Sequence, residues 1–383
     1  MVVPNHKTRR IQYCTRCLMP STKPYISFDG AGVCNACRSH EQKNLAEEGI
    51  NWQARGQEFE ALIAEVKARK APLFDAMVPV SGGKDSITQV HRLLNRGLRI
   101  LAVNIDYGIK TEIGRRNLAC IPDMGANLFI YTPAQPLHRE LVRIGFEDFG
   151  DPDLLSHCLL HAFPLRVALQ FQIPLALLGE NSAFEYGGDK DIAANNCMTQ
   201  AWFKKFAANS GKDARFVSDI YNIPYENLLN YDFPAELESS GTKAVFSSYF
   251  FHWDSEENRR IAEGYGFTSL PQAHQGTYRT YVGIDEKINR IHQYFKVLKF
   301  GYGRATDHAC EDIRNGRLTR DAAKDLVREY DLEDLTSDYV SDFCSFIGIS
   351  EAKFSEIMEK NRNREIWEKD NNGRWIIPGH LDH

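Results

Sequence analysis

Apolar positions in the first half of the chain follow two rhythms. Between 51 and 70 a charged segment carries Phe59, Leu62, Ile63 and Val66 on one face at helical spacing. Residues 77–80, 100–105, 127–131 and 174–178 are instead short, mostly apolar runs. Such runs predict strands buried on both faces. Helical patterns fill the intervals around 112–124 and 156–172. Strands alternating with helices predict an α/β fold on a doubly wound parallel sheet. From about 286 the pattern becomes helical. Thr319 can cap a helix bearing Ala322, Ala323, Leu326, Val327 and Tyr330. Tyr339, Val340, Phe343 and Ile347 mark a second helix, and Ser350 can cap a third with Phe354, Ile357 and Met358. There is no internal repeat and no low-complexity tract.

The run at 77–80 leads straight into Ser81-Gly82-Gly83-Lys84-Asp85-Ser86. A helix follows, with Ile87, Val90, Leu93 and Leu94 apolar and Gly97 as its stop. The order is strand, glycine turn, helix. Gly82 and Gly83 let the backbone come close to a bound group, and the new helix offers unpaired N–H groups and the positive end of its dipole. The arrangement suits a phosphate chain. A Walker A loop needs Gly, four residues, then Gly-Lys-Ser/Thr. Here Asp85 follows Lys84 and Val78 stands where the first glycine belongs, so the loop is of another kind. It resembles the pyrophosphate loop (PP-loop) of the ATP pyrophosphatase superfamily. Those proteins cleave ATP between the α- and β-phosphates, adenylate an oxygen and let a nitrogen or sulfur nucleophile displace AMP. The resemblance implies that Ser81, Gly82, Gly83, Lys84, Asp85 and Ser86 bind ATP, with Lys84 and Asp85 catalytic. A carboxylate beside phosphate oxygens is a usual Mg²⁺ environment, which fits Asp85. Asp106, after the run at 100–105, and Gly179-Glu180, after the run at 174–178, fall on the same sheet edge. Ligands bind at that edge in such sheets, so these are nucleotide or metal contacts, or else caps of the following helices.

Nearer the start, Cys14-Thr-Arg-Cys17 and Cys34-Asn-Ala-Cys37 are sixteen residues apart. Two such knuckles place four thiolates around one tetrahedral Zn²⁺. Four ligands leave no open position, so the expectation is one structural zinc; an iron–sulfur or redox role is the competing reading. The expected division is a zinc-binding module over 1–50, a nucleotide-binding domain over 51–285 and a helical substrate or interface domain over 286–383.

The chain has 383 residues, 43% apolar and 25% charged, as expected of a soluble globular protein. No apolar run approaches the roughly 20 residues that span a bilayer. The first residues lack a signal-peptide apolar core, and nine cysteines with four in CxxC pairs favour metal and free thiols over disulfides. A cytoplasmic location is expected. A net charge of −5 weighs against nucleic acid as the main ligand.

Four segments, the loop among them, resemble the bacterial N-acetyl sugar amidotransferases of surface-polysaccharide biosynthesis. They are Tyr13-Cys-Thr-Arg-Cys-Leu-Met-Pro20 with its second CxxC, the segment around 79–86, Gly179-Glu-Asn-Ser-Ala-Phe-Glu-Tyr-Gly-Gly188, and Phe300-Gly-Tyr-Gly-Arg-Ala-Thr-Asp307 with Asn315-Gly-Arg-Leu-Thr-Arg320. The resemblance implies an adenine nucleotide alpha-hydrolase-like PP-loop fold. It also implies conversion of an acetamido group on a nucleotide-linked sugar to an acetamidino group, using ATP and releasing AMP and pyrophosphate. The ammonia would come from separate proteins similar to the two halves of imidazole glycerol phosphate synthase, a glutaminase and a cyclase-like barrel.

The residues test that last point. A fused glutaminase needs a nucleophilic cysteine beside the initiator or on a glycine-flanked elbow. Position 2 is Val, and Cys120, Cys158, Cys197, Cys310 and Cys344 all lack such a setting. The nitrogen is therefore expected from outside. An anionic nucleotide sugar calls for Arg or Lys donors. Lys299 and Arg304, in a glycine-bearing segment that also holds Lys296, are the leading candidates, with Arg279 and His274 in a second such stretch; Tyr186 could touch sugar or ATP. The main rival is a PP-loop RNA-modifying enzyme of the thiolation type, for which Cys158 near His161 would be the sulfur carrier. Cys158 has no cysteine partner nearby.

Overall fold

The computed structural model describes residues 10–45, 49–181, 185 and 196–382. Its centre is a five-stranded parallel sheet of β1 (Ala76–Pro79), β2 (Ile100–Ile105), β3 (Asn127–Tyr131), β4 (Leu175–Leu178) and β5 (Lys243–Phe246), in the order β3-β2-β1-β4-β5. Ala76 is in register with Ile100 on one side and Leu175 on the other. The chain adds β2 and β3 to one side of β1, then crosses back to add β4 and β5 to the other. The strand order therefore reverses between β1 and β4, where such sheets open a crevice.

Both faces of β1, β2 and β4 are covered, which is why these strands read as continuous apolar runs; β3, expected to be buried on both faces, is instead largely exposed because it is an edge strand. The first helix, α1 (Asn35–Asn44), belongs to the cysteine module. Ala76, Val78, Ile100 and Ala102 face α2 (Trp52–Ala68), α3 (Lys84–Leu94) and α4 (Glu112–Asp123) through Phe59, Ile63, Ile87, Val90, Leu93, Leu118 and Ile121. Met77, Leu101, Val103 and Ile105 face α5 (Gln135–Phe149) and α6 (Leu154–Gln170) through Leu141, Leu155, Leu159, Ala162 and Leu165. Burial of a large aliphatic side chain contributes about 1.5–3 kcal/mol, so these two layers supply most of what holds the loops in place. β3 is the exposed edge, with Ile130 turned to solvent. β5 was not anticipated, because Lys243–Phe246 offers too short an apolar run to stand out.

A further helix, α7 (Ser255–Glu263), packs on α3. The last hundred residues form α8 (Ile288–Phe300), α9 (Arg304–Arg314), α10 (Arg320–Tyr330), α11 (Ser337–Ile347) and α12 (Glu351–Asn361), followed by a small hairpin of 368–369 with 375–376. Thr319 and Ser350 cap α10 and α12 as their sequence positions predict. Phe146 of α5 sits 4.9–5.2 Å, ring to ring, from Phe295, Phe343 and Phe354, which seats these helices on the sheet domain. On their other side they share a core with the cysteine module, through Tyr302, Cys310, Ala323 and Trp367. No helix among the described residues is long and apolar enough to cross a membrane.

Candidate active site

A cleft of about 410 Å³ lies beyond the carboxyl ends of the strands. Ser81, Asp85 and Ser86 from the loop after β1 line it, with Asn104 at the end of β2 and Gly179 and Glu180 after β4. The crevice predicted by strand order and the cleft are thus the same place.

The loop is shaped by its glycines and its hydroxyls. Gly82 has φ +93°, and a Cβ there would stand 2.9 Å from the main chain of Gly114 and of Leu118 on α4. Only glycine allows both that conformation and that approach. The Gly83 N–H donates to Ser81 Oγ at 3.1 Å, and Ser86 Oγ donates to the Gly83 carbonyl at 2.9 Å. α3 begins at Lys84 with no side-chain cap, which leaves its N-terminal amides facing the loop. Asp85 is fixed from two sides: Lys84 Nζ stands 2.6 Å from Oδ2, and Asn258 of α7 donates to Oδ1 at 2.8 Å. Lys84 itself is buried, 5.7 Å from the Tyr281 ring, and does not line the cleft.

The other wall is acidic and histidine-bearing. Asp153, just before α6, Asp285 and Glu286 line it together. Glu286 accepts from the N–H groups of Ile288 and Asn289 at 2.7 and 2.8 Å. Even so, burial and then repulsion from Asp153 and Asp285 push its pKa up to about 8. Burial also raises Asp153, and burial together with Asp85 raises Glu180. The 284–286 strip is locked to the segment after β2, since Thr111 N–H donates to the Asp285 carbonyl at 3.1 Å. A Cβ on Gly114 would stand 2.3 Å from that same oxygen, so α4 admits the strip only through this glycine. His157 and His161, one turn apart on α6, complete the wall with Trp202. Burial, then His157, lowers His161 to about 3, so its ring is neutral at physiological pH. Sequence reading did not find this acidic wall. The helical His157/His161 spacing was its one local signal; the acids come from segments more than a hundred residues apart.

Several expected site residues lie elsewhere. Asp106 follows β2, but its carboxylate accepts from the Gly108 N–H at 2.9 Å and stays out of the cleft. Lys299 donates to the Phe149 carbonyl at 2.6 Å, tying α8 to the end of α5; it does not reach the cleft. Lys296 pairs with Asp307, and Arg279 is buried between Glu311 and Asp312, each at 2.8 Å. Arg304 does line the cleft. Tyr186 lies outside the described residues. Cys158 is fully buried, its Sγ 3.6 Å from the Ala207 carbonyl, and no cysteine lines the cleft.

Cys14, Cys17, Cys34 and Cys37 form one buried cluster whose sulfurs lie within 4.8 Å of one another. Cys17 and Cys34 are 3.7 Å apart and Cys14 and Cys37 4.0 Å. A tetrahedral metal with bonds of about 2.3 Å to sulfur separates its ligands by about 3.8 Å, so the set fits a four-thiolate ion. Cys14 Sγ accepts from the N–H groups of Arg16, Cys17 and Cys34, an arrangement that favours thiolate charge. Arg320 donates to the carbonyls of Cys17 and Cys14 at 3.1 and 3.2 Å, joining the cluster to α10.

Residues 275–378 match a family model described as LPS biosynthesis protein WbpG-like, C-terminal domain. No curated protein matches the chain. Among solved structures, the chain is similar to the NMN synthetase from Francisella tularensis, with 9% identity over 79% of this chain and 96% of that one. The TM-score is 0.32, too slight a likeness to bear on function. The family match covers α8 to α12 with the hairpin, and includes Arg304 and Glu286 of the cleft wall.

Proposed function

We propose that this chain is an ATP-dependent amidotransferase of surface-polysaccharide (O-antigen) biosynthesis, a ligase that forms AMP and pyrophosphate. It converts an acetamido group of a nucleotide-linked N-acetyl sugar into an acetamidino group, with ammonia from a separate glutaminase and its cyclase-like barrel. The observation that carries the reading is the 81–86 glycine loop at the strand-order reversal, opening into a cleft large enough for two substrates' reacting ends. The match of 275–378 to a lipopolysaccharide-biosynthesis domain supports the sugar side.

In this reading the amide oxygen attacks the α-phosphorus of ATP and pyrophosphate leaves. The loop amides, Ser81, Ser86 and the start of α3 hold the phosphates, where backbone donors and helix dipole favour anionic charge. Asp85, held by Lys84 and Asn258, is the residue placed to share a Mg²⁺ with them. Ammonia adds to the activated carbon, the carbon–oxygen bond to AMP breaks, and a proton is lost to leave the amidine. Glu286, mostly protonated near neutral pH, faces the same space and suits proton donation, taking a proton only through the fraction that ionises as the pH approaches 8; the neutral His161 ring, a weak base here, serves as a hydrogen-bond partner. The four cysteines hold a structural zinc. Among the described residues no cysteine lines the cleft, which accords with imported nitrogen; the enzyme would work in the cytoplasm beside its glutaminase.

The test is direct. With ammonium chloride at high pH, ATP and a diacetamido nucleotide sugar, the chain should release AMP and pyrophosphate. Release of ADP and phosphate would exclude adenylation. Asp85→Ala should abolish turnover with the fold intact, and retained activity would remove Asp85 from the site. Efficient use of glutamine by the isolated chain would contradict an external ammonia source.

A further inference from the structure

Next to the cleft is a much smaller alcove, lined by His274, Gly276, Asn289, Arg290, Gln293 and Arg304. Asn289 and Arg304 also line the cleft, so the two spaces share a wall. Four polar atoms around the alcove have no partner: His274 Nδ1, Arg290 Nε, Gln293 Oε1 and Arg304 Nε. Arg290 is 4% exposed and Gln293 8%.

The charge balance is unusual for a buried arginine. Among the described residues, neither Arg290 nor Arg304 has a carboxylate within ion-pair distance. Buried Arg279, by contrast, has Glu311 and Asp312 both at 2.8 Å. Among the described residues, the Arg290 side chain donates to the main-chain oxygen of Glu333 alone, at 3.0 Å. The Glu333 carboxylate is taken up by the Gly276 N–H at 3.0 Å. Burial accordingly lowers the Arg290 pKa, and Glu333 offsets this only in part. A guanidinium withdrawn from water without a counter-ion is costly unless something anionic arrives. The fold nevertheless makes room for it. Gly276 has φ +82°, and a Cβ there would stand 2.7 Å from Arg290 Nη1.

We propose that the alcove is an oxyanion subsite, reached from the cleft past Asn289 and Arg304, that takes one carboxylate or phosphate oxygen group of the sugar substrate. The volume, about 10 Å³, admits one water-sized group, so the alcove receives the end of a ligand whose body lies in the cleft. Arg290 and Arg304 supply paired N–H donors suited to a flat or tetrahedral oxyanion. His274 donates Nε2–H to the Val282 carbonyl at 2.7 Å, which leaves Nδ1 free to accept from a ligand hydroxyl beside the anion.

The inference rests on the nucleotide-sugar reading but is tested without turnover. Calorimetric titration of the full chain, with neither ATP nor ammonium, uses four probes: UDP-N-acetylglucosamine, its C6-oxidised uronic acid, UDP and inorganic phosphate. Arg290→Gln removes the buried charge. Gln293→Glu leaves Arg290 in place and fills the alcove with a carboxylate of its own. Each variant should weaken the responding probe about tenfold or more, the size of one charge-assisted contact, and leave ATP binding unchanged. A loss confined to the uronic acid assigns the alcove to the sugar carboxylate. A loss shared by UDP and phosphate assigns it to the nucleotide phosphate. Unchanged affinity for every probe in both variants, or no binding of any probe by the unmodified chain, means the alcove holds only a water and overturns the proposal. Arg290-dependent binding without amidine formation would sink the amidotransferase reading and leave the subsite standing.

Discussion

Glu286 gives the sharpest physical test of the cleft, because its carboxyl is held far from its ordinary state. Its pKa rises from 4.5 to about 8, through burial first and then Asp153 and Asp285. A raised carboxyl binds its proton more tightly in the folded chain than in the unfolded one. The folded state is therefore favoured at low pH, and that contribution fades as pH climbs towards 8. Between pH 6.5 and 9 the unfolded chain holds almost no proton at this site, while the folded chain goes from nearly full to nearly empty. Integrating the linkage over that window gives about 2 kcal/mol of lost stability, an upper figure because water in the open cleft screens part of it. For a chain of this size, with unfolding entropy of about 2 cal/mol/K per residue, this is about 2–3 °C in Tm.

Glu286→Gln removes the titration. The amide keeps one oxygen for the N–H groups of Ile288 and Asn289, so the variant loses part of a helix cap at every pH, about 1 kcal/mol. That loss is a constant offset, whereas the charge effect is a slope. The assay is scanning calorimetry of both proteins at half-unit steps from pH 6.5 to 9. The depressed histidines, His161 at about 3 and His138 at about 4, raise stability with pH until their unfolded rings lose their protons, through and just above pH 6.5; they do so equally in both proteins and cancel in the comparison. The variant's Tm should fall less steeply than the parent's over this window. Parallel curves would mean that Glu286 is ionised at neutral pH and that the acids do not act on one another.

Three further outcomes are expected from the same geometry. Gly82→Ala should cost about 2–4 kcal/mol and abolish ATP binding, because it forces a positive φ and pushes α4 away; Gly97→Ala, also at positive φ but with open space, should cost only about 1 kcal/mol in chemical denaturation. Stripping metal with a chelator, or Cys34→Ser, should lower Tm by several degrees and make 10–45 the first site of limited proteolysis; metal analysis finding iron, or none, would overturn the zinc assignment. Lys299→Met should leave ATP and sugar kinetics unchanged while lowering Tm, since its one hydrogen bond ties α8 to Phe149; a raised KM for sugar would restore it to the site.

What could be read from the sequence was whatever depends on neighbours in the chain. The strands at 100–105 and 127–131, the caps at Thr319 and Ser350, the glycine loop and the cysteine knuckles are all local patterns, and the structure has each in place. The fate of the cations was not local. Lys299 and Arg304 stand five residues apart in a segment that favours neither. Lys299 closes on a carbonyl 150 residues away, whereas Arg304, at the start of α9, has no acid within ion-pair distance among the described residues and faces the cleft. Lys84 sits inside the motif and yet turns to its own neighbour Asp85 beneath Tyr281. A charged residue's role is decided by which partner the fold brings within about 4 Å, and that partner is supplied by tertiary packing. The same rule separates the arginines of the C-terminal half. Arg279, with two acids, is neutralised and structural. Arg290 and Arg304, with no acid within ion-pair distance among the described residues, carry charge that the fold answers only in part, and an anionic ligand is what would complete the answer.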